Sequence, residues 1–232
     1  MKIETFILAW NEERLISYTM RHYSQFSDVV ILSNNTTDNQ NKIAKSLGAK
    51  VWEFNMPDVI DNQWYIDLKD NIWKVSLADW VIVVDADEFV YHPNIVGILE
   101  NTQATIFKPQ LFNMFSENFP VTQGQIYEEV TDGIEGGAKV NLFRPKEIKE
   151  INYAPGCHSS NPEGNLIWGT EKIKTLHFRN LGKDYIFNRN KIYSVRRCEN
   201  DKKNGWAIHY VSSDEETGKW FDDNFALAEK II

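Results

Sequence analysis

The chain has 232 residues, enough to bury a sizeable core in one domain, and its 25 Lys+Arg against 33 Asp+Glu leave a formal net charge of −8. That balance argues against a duplex nucleic-acid binder and means that an anionic ligand needs a local positive site. Two cysteines, Cys157 and Cys198, are too few for a disulfide framework, the start lacks a basic region followed by an apolar run, and no stretch approaches the roughly 20 apolar residues of a membrane span. The expected place is the cytoplasm, with any membrane contact peripheral, at the inner face.

The first apolar run, Thr5 to Trp10, reads as a strand, with Asn11 placed to cap a helix from about Glu13 to Phe26. Asp28 to Ser33 is a second strand, followed by the polar loop Asn34 to Asn39 and a short helix ending at Gly48. Lys50 to Phe54 is a third strand, and Trp64 to Leu77 reads as an amphipathic helix with Tyr65, Leu68 and Ile72 inward. The fourth strand, Trp80 to Val84, is a continuous apolar run rich in β-branched residues, as expected of a strand buried on both faces. Strands alternating with helices imply parallel pairing and right-handed crossovers, an α/β nucleotide-binding type of half. Neither a G-x-G-x-x-G nor a Walker lysine motif occurs, which argues against a dinucleotide enzyme or a P-loop protein. Beyond Phe89 the alternation breaks down. Thr105–Lys108, Leu111–Phe115 and Lys139–Phe143 read as strands around a polar loop, Ser116 to Ala138, whose length and glycines suggest a lid. Helices are expected from Lys183 to Cys198 and from Glu216 to the C-terminus. Nothing resembles a linker, so residues 1–232 read as one domain, with 1–90 a ligand-binding half and 91–232 the half facing a second substrate.

Asp85-Ala86-Asp87-Glu88 follows the fourth strand directly. A carboxylate cluster at the carboxyl end of a central strand sits where open α/β sheets place ligands, and its self-repulsion calls for a cation. Asp-x-Asp alone is a weak signal; its place after a buried strand gives it weight.

Three segments, Ile7-Leu8-Ala9-Trp10-Asn11-Glu12-Glu13, the loop Asn34 to Asn39, and Asp85-Ala86-Asp87-Glu88-Phe89, together resemble the N-terminal signatures of GT-A-fold, family-2-like bacterial glycosyltransferases. Gly156-Cys157-His158, Leu176-His177-Phe178 and Asn188 to His209 are similar to the later half of such enzymes. The second-strand loop departs from the family's more acidic pattern, for it begins Ser33-Asn34-Asn35. The resemblance implies a GT-A fold, a single domain with a mixed central sheet and helices on both faces. It also implies transfer of a sugar, a hexose for instance, from a nucleotide diphosphate sugar to a glycan or lipid-linked acceptor in surface polysaccharide assembly.

The chemistry of that transfer assigns roles. A diphosphate leaving group gains charge as the glycosidic bond breaks, and Mn2+ or Mg2+ held by the DxD carboxylates Asp85 and Asp87 would stabilise it. His158 is the first candidate for an additional imidazole ligand and His177 the second. Donor contacts are expected from Ala9, Asn11, Glu12, Asn35, Lys69, Asn71, Asp85 and Ala86, and phosphate charge could be offset by Arg179, Arg189, Arg196 and Arg197. Asp132 and Glu135, in the glycine-containing loop, are the candidates for the base that activates an acceptor hydroxyl. Phe112, Phe115 and Trp168 are candidate stacking platforms for the acceptor. Two other readings remain at this level: a nucleotidyltransferase of similar α/β fold, which would usually carry a Gly-rich basic N-terminal loop, and a non-catalytic carbohydrate-binding protein, against which the intact acidic cluster argues.

Overall fold

The computed structural model describes residues 1–54 and 61–232. The chain lays down β1 (Ile3–Ala9), α1 (Ile16–Tyr23), β2 (Asp28–Asn34), α2 (Gln40–Ser46), β3 (Lys50–Phe54), α3 (Asn62–Asn71) and β4 (Trp80–Asp85), the alternation expected from sequence. Then follow β5 (Glu88–Tyr91), α4 (Ile95–Asn101), β6 (Ile106–Phe107), β7 (Gln110–Ser116), β8 (Asp132–Ala138), β9 (Leu142–Phe143), β10 (Ile148–Glu150) and β11 (Glu163–Gly164). The described chain ends with β12 (Lys174–Leu181), α5 (Lys183–Arg196), α6 (Glu199–Asn204), α7 (Asp214–Phe225) and β13 (Glu229–Lys230).

Six strands form the central sheet in the order β3-β2-β1-β4-β9-β6. The first four are parallel, and β9 and β6 close the edge antiparallel, so the sheet is mixed as expected. Its strands are apolar on both faces because each face is covered. Ile3 and Ile7 of β1 and Trp80, Ile82 and Val84 of β4 pack with Ile16 and Met20 of α1, Ala44 of α2 and Leu99 of α4. Phe6, Val81 and Val83 point the other way, towards Ile66 of α3 and Trp73. Fully burying side chains of this size contributes roughly 1.5–3 kcal/mol each, so a charge at Ile82, which is wholly buried, would cost the domain much of its stability.

A second sheet, β13-β8-β7-β12-β5, continues from the first through one short turn. β4 ends at Asp85 in the central sheet, and β5 begins at Glu88 in the second, so Ala86 and Asp87 are the joint between them. Pairing fixes both sides of this joint. Leu8 stands opposite Asp85, and the Ala86 amide donates to the Leu8 carbonyl at 3.0 Å. On the other side His177 pairs with Glu88, and the Phe178 amide donates to the Asp87 carbonyl at 2.7 Å.

Several expectations are corrected here. α1 starts at Ile16, and Asn11 does not cap it. Asn11 instead adopts a left-handed backbone (φ 52°), which asparagine tolerates, and its side-chain oxygen accepts from the Thr37 amide at 2.7 Å, so it ties the first turn to the second loop. The buried face of α3 is centred about one residue on from the expected one: Ile66 and Lys69 are buried, Leu68 and Ile72 pack at its edge, Asp61 caps the helix, and it gives way after Asn71 to a 3-10 turn, Ile72–Val75. The segment 116–138 is no lid. β8 occupies its second half, Ile126 and Val130 are buried, and α1 holds its first half through Tyr18 to the Pro120 carbonyl and Arg21 to the Gly124 carbonyl.

Candidate active site

The carboxyl ends of β1 and β4 and the joint residues open onto a cavity of about 430 Å³, a size suited to a small-molecule substrate. Helices α3 and α5, the turn Pro155–Cys157 and the face of β12 that carries His177 and Arg179 complete its walls. Its charges are arranged as interlocked pairs. Lys69 of α3, itself buried, donates to Asp85 Oδ1 at 2.7 Å. Lys139 is ion-paired with Glu88, both fully desolvated. Arg189 of α5 reaches Asp87 Oδ2 at 2.9 Å and Glu12 Oε1 at 3.2 Å with the same nitrogen, and donates from another to the Tyr185 hydroxyl at 3.1 Å.

These partners decide the protonation states. Burial pushes the Asp87 carboxyl up, but Arg189, then His177 and Lys139, outweigh it and hold the group ionised far below the usual carboxylate range. Burial likewise opposes the ionised form of Glu88, and Lys139 ahead of His177 and Lys69 brings it to about 2. Glu12 behaves differently. Its burial dominates over Arg189 and over the hydroxyls of Tyr193 and Tyr185, and raises it to about 7. Burial opposes the charged form of Lys69, but Asp85 together with Cys157 and Glu88 outweighs it and keeps the ammonium charged.

His177 is the most informative side chain at the joint. Its Nδ1–H donates to Asn113 Oδ1 at 3.0 Å, which turns Nε2 towards Asp87 Oδ2, 3.4 Å away. With the tautomer so fixed, two acceptor atoms face each other, an arrangement that a proton or a metal cation satisfies. His158 lines the same cavity but is exposed, and among the described residues it has no hydrogen bond or ion pair to the carboxylates. Gly156 before it takes a φ of 78°, the unusual turn that glycine permits. Of the two imidazoles, His177 stands against Asp87 and His158 sits on the cavity wall.

The remaining expected residues divide. Ala9, Glu12, Lys69, Asp85, Ala86 and Asp87 line the cavity. Asn11, Asn35 and Asn71 do not; Asn71 is exposed and bonded to the Asp67 carbonyl one turn back. Asp132 and Glu135, expected in a loop, lie on β8 outside the cavity wall, Asp132 bonded to Thr131 and Glu135 exposed. The stacking candidates are also displaced: Phe115 is buried against Phe221, and neither Phe112 nor Trp168 lines the cavity. Of the arginines, Arg179, Arg189 and Arg196 reach the cavity, whereas Arg197 donates to the Trp206 carbonyl at 2.7 Å. Reading the sequence missed Lys139, Tyr193 and Asn34 as cavity residues. Tyr185, Arg189 and Tyr193 recur every four residues on α5, a polar-aromatic stripe that could have marked the face turned to the site.

No family model matches the chain. Over 90 residues, 38% of its length, it is 37% identical to an uncharacterized glycosyltransferase of Rickettsia typhi and, over the same number, 34% identical to an uncharacterized glycosyltransferase of Rickettsia prowazekii. It covers only 28% of each of these relatives. Among solved structures, glucosyl-3-phosphoglycerate synthase of Mycobacterium tuberculosis with Mg2+ and uridine diphosphate is 21% identical at a TM-score of 0.36, with 48% of this chain and 43% of that one covered. S. aureus TarS is 12% identical at a TM-score of 0.44, with 84% and 65% covered.

Proposed function

We propose that this protein is a GT-A-type glycosyltransferase that takes a sugar from a nucleotide diphosphate donor, with a divalent metal at the joint between its two sheets. The observation that carries this reading is the convergence of Asp85, Asp87 and His177 with Lys69 and Arg189 at the carboxyl end of a parallel sheet, in one cavity. The 90-residue similarity to glycosyltransferases supports it.

The residues fit a metal. Asp87 Oδ2 and His177 Nε2 already face one another, Asn113 presets the imidazole tautomer, and Asp85 keeps part of its carboxylate open to the cavity. Among the described residues no three-ligand cluster is preformed, since Lys69 and Arg189 occupy the carboxylates, so Asp87 and His177, with Asp85, would hold Mn2+ or Mg2+ once Arg189 gives way. The metal supplies Lewis-acid neutralisation of a diphosphate.

As the bond between the sugar's anomeric carbon and the diphosphate oxygen breaks, its electron pair goes to the phosphate. Lys69, desolvated and held against Asp85, is positioned to meet that charge, and Arg189, once released from Asp87, supplies a second cation beside it. Glu12 acts on Arg189 rather than on the donor, since it is buried beneath the guanidinium with Tyr185 and Tyr193 donating to it at 3.4 and 3.3 Å. The nucleoside end has Ala9, Asn34 and Tyr65 as its wall. The acceptor in this reading is a glycan or lipid-linked sugar in surface polysaccharide assembly, met at the cytoplasmic face of the membrane; no described helix is long and apolar enough to cross a membrane.

Isothermal titration tests it directly. Uridine or guanosine diphosphate should bind more tightly with manganese than in EDTA, and Asp87→Ala should remove most of that gain. Equal affinity in both conditions overturns the metal bridge.

A further inference from the structure

Beside the main cavity lies a smaller one of about 180 Å³, built by β12, α5, α7 and the turn between α6 and α7. Arg179 and His209 line both, so they form the partition between them. The side chains facing the small cavity have unmet bonding capacity. Asn180, 2% exposed, and Asn190, 5% exposed, each keep a buried side-chain oxygen without a hydrogen-bond partner among the described residues, a deficit that a bound donor would relieve. Arg179 has no carboxylate or carbonyl partner among the described residues; its guanidinium lies 5.2 Å from the Tyr210 ring centroid. Burial depresses its basicity, outweighing the opposing pull of Tyr210 and Asp87, and Arg189 nearby adds to the depression. His209 is driven down to about 3 by burial, Arg179, Arg189 and Arg197, so it is neutral at ordinary pH and the local field is positive. Ile186, Ser212, Thr217 and Trp220 complete the wall, and Trp220, 47% exposed, has its ring 6.0 Å from that of Phe115. The carboxylate at the rim, Glu216, is engaged by the Ser213 amide at 2.9 Å and hydroxyl at 3.0 Å as the cap of α7.

Each feature specifies part of an occupant. Two buried acceptor oxygens call for a ligand that brings hydroxyl donors, an unpaired guanidinium calls for an anionic oxygen, and a half-open indole offers a flat apolar face. The size restricts it to about one ring. We propose that this cavity is the acceptor subsite and takes a single acidic sugar unit, a monosaccharide bearing a carboxylate or phosphate. In this arrangement Arg179 holds the anionic group, Asn180 and Asn190 accept from ring hydroxyls, and Trp220 covers one face of the ring. Sharing of Arg179 and His209 by both cavities sets the acceptor beside the place where the donor sugar would be released. The inference rests on the donor reading only for the direction of transfer; the subsite itself stands on its own residues.

Binding to the full chain decides it. Glucuronate, glucose 6-phosphate and glucose are titrated by calorimetry into protein saturated with uridine diphosphate and manganese, and the nucleotide is titrated separately. The two acidic sugars should bind, with glucose weaker by about tenfold or more, and Arg179→Gln should erase that difference, as expected for a lost charge-assisted contact. Trp220→Ala, at a half-exposed position, should weaken all three sugars while the nucleotide's affinity stays the same. If glucose binds as well as the acidic sugars, if none binds, or if the nucleotide competes with them, the proposal is overturned. If the acidic sugars bind and depend on Arg179 while the nucleotide does not bind at all, the subsite stands and the donor reading falls.

Discussion

Arg189 occupies the carboxylate that a metal would need, so replacing it should change metal affinity in a defined direction. Its one nitrogen touches Asp87 Oδ2 at 2.9 Å and Glu12 Oε1 at 3.2 Å, in a site where both carboxylates are nearly inaccessible to water. Two unit charges 4 Å apart interact by about 4 kcal/mol at an effective dielectric of 20, and what survives as a net charge-assisted hydrogen bond is roughly 1.5–3 kcal/mol. A metal must displace that contact. Arg189→Gln should therefore tighten manganese binding in the absence of nucleotide by about ten- to a hundredfold, whereas Arg189→Lys, which keeps the charge, should not. Nucleotide affinity should move the other way, since the same guanidinium faces the place of the diphosphate. The variant should also be less stable without metal, by about 3–5 kcal/mol, because Asp87 loses its nearest counterion while buried beside Glu12. Calorimetric or paramagnetic-resonance titration with manganese measures the first effect, and urea unfolding with and without metal the second. Unchanged or weaker manganese binding in a folded Arg189→Gln protein would refute the idea that the arginine and the metal compete for one carboxylate.

Glu12 links the site to pH. Its folded value of about 7 lies above the ordinary 4.5, so the folded state holds the proton more tightly; the stability this contributes is complete below about 4.5 and is lost as pH rises to about 7, on the order of 3 kcal/mol in all. Glu12→Gln should flatten that decline in urea unfolding between pH 4.5 and 8, and a variant that follows the wild-type curve in parallel would exclude Glu12 as its source. His177→Ala should lower manganese affinity in the presence of nucleotide by about tenfold or more, and Asn113→Ala, which releases the imidazole tautomer, by a comparable factor; His158→Ala should leave it nearly unchanged, and the reverse pattern would return the ligand role to His158. Asp132→Asn and Glu135→Gln, both outside the cavity, should retain donor-sugar turnover within about twofold, the usual range for surface changes, and a loss of several orders of magnitude would reinstate one of them as the base.

What the sequence revealed follows from which forces leave a local pattern. β1, β2 and β4 are apolar on both faces because helices cover both, so they stand out as unbroken runs, and the acidic turn after β4 is contiguous in the chain. β12 is legible after the fact, since buried Leu176 and Phe178 alternate with the cavity-facing His177 and Arg179, the period of a half-buried strand. β8 reads as a loop because Asp-Gly-Ile-Glu-Gly-Gly-Ala is poor in strand formers, and its pairing with β7 and β13 overrides that local preference. The buried face of α3 was displaced for a related reason: Lys69 counts as solvent-exposed in any periodicity argument, yet it is buried because Asp85, 16 positions later, neutralises it. The same logic applies to Asp132 and Glu135. They are carboxylates in a glycine-rich stretch, which is all that sequence can offer, whereas the cations that line the cavity come from α3, the approach to β9, β12 and α5. Carboxylates adjacent in sequence announce themselves; the lysines and arginine that balance them are brought together by the fold alone, and their identity becomes visible only once the two sheets meet at Asp87.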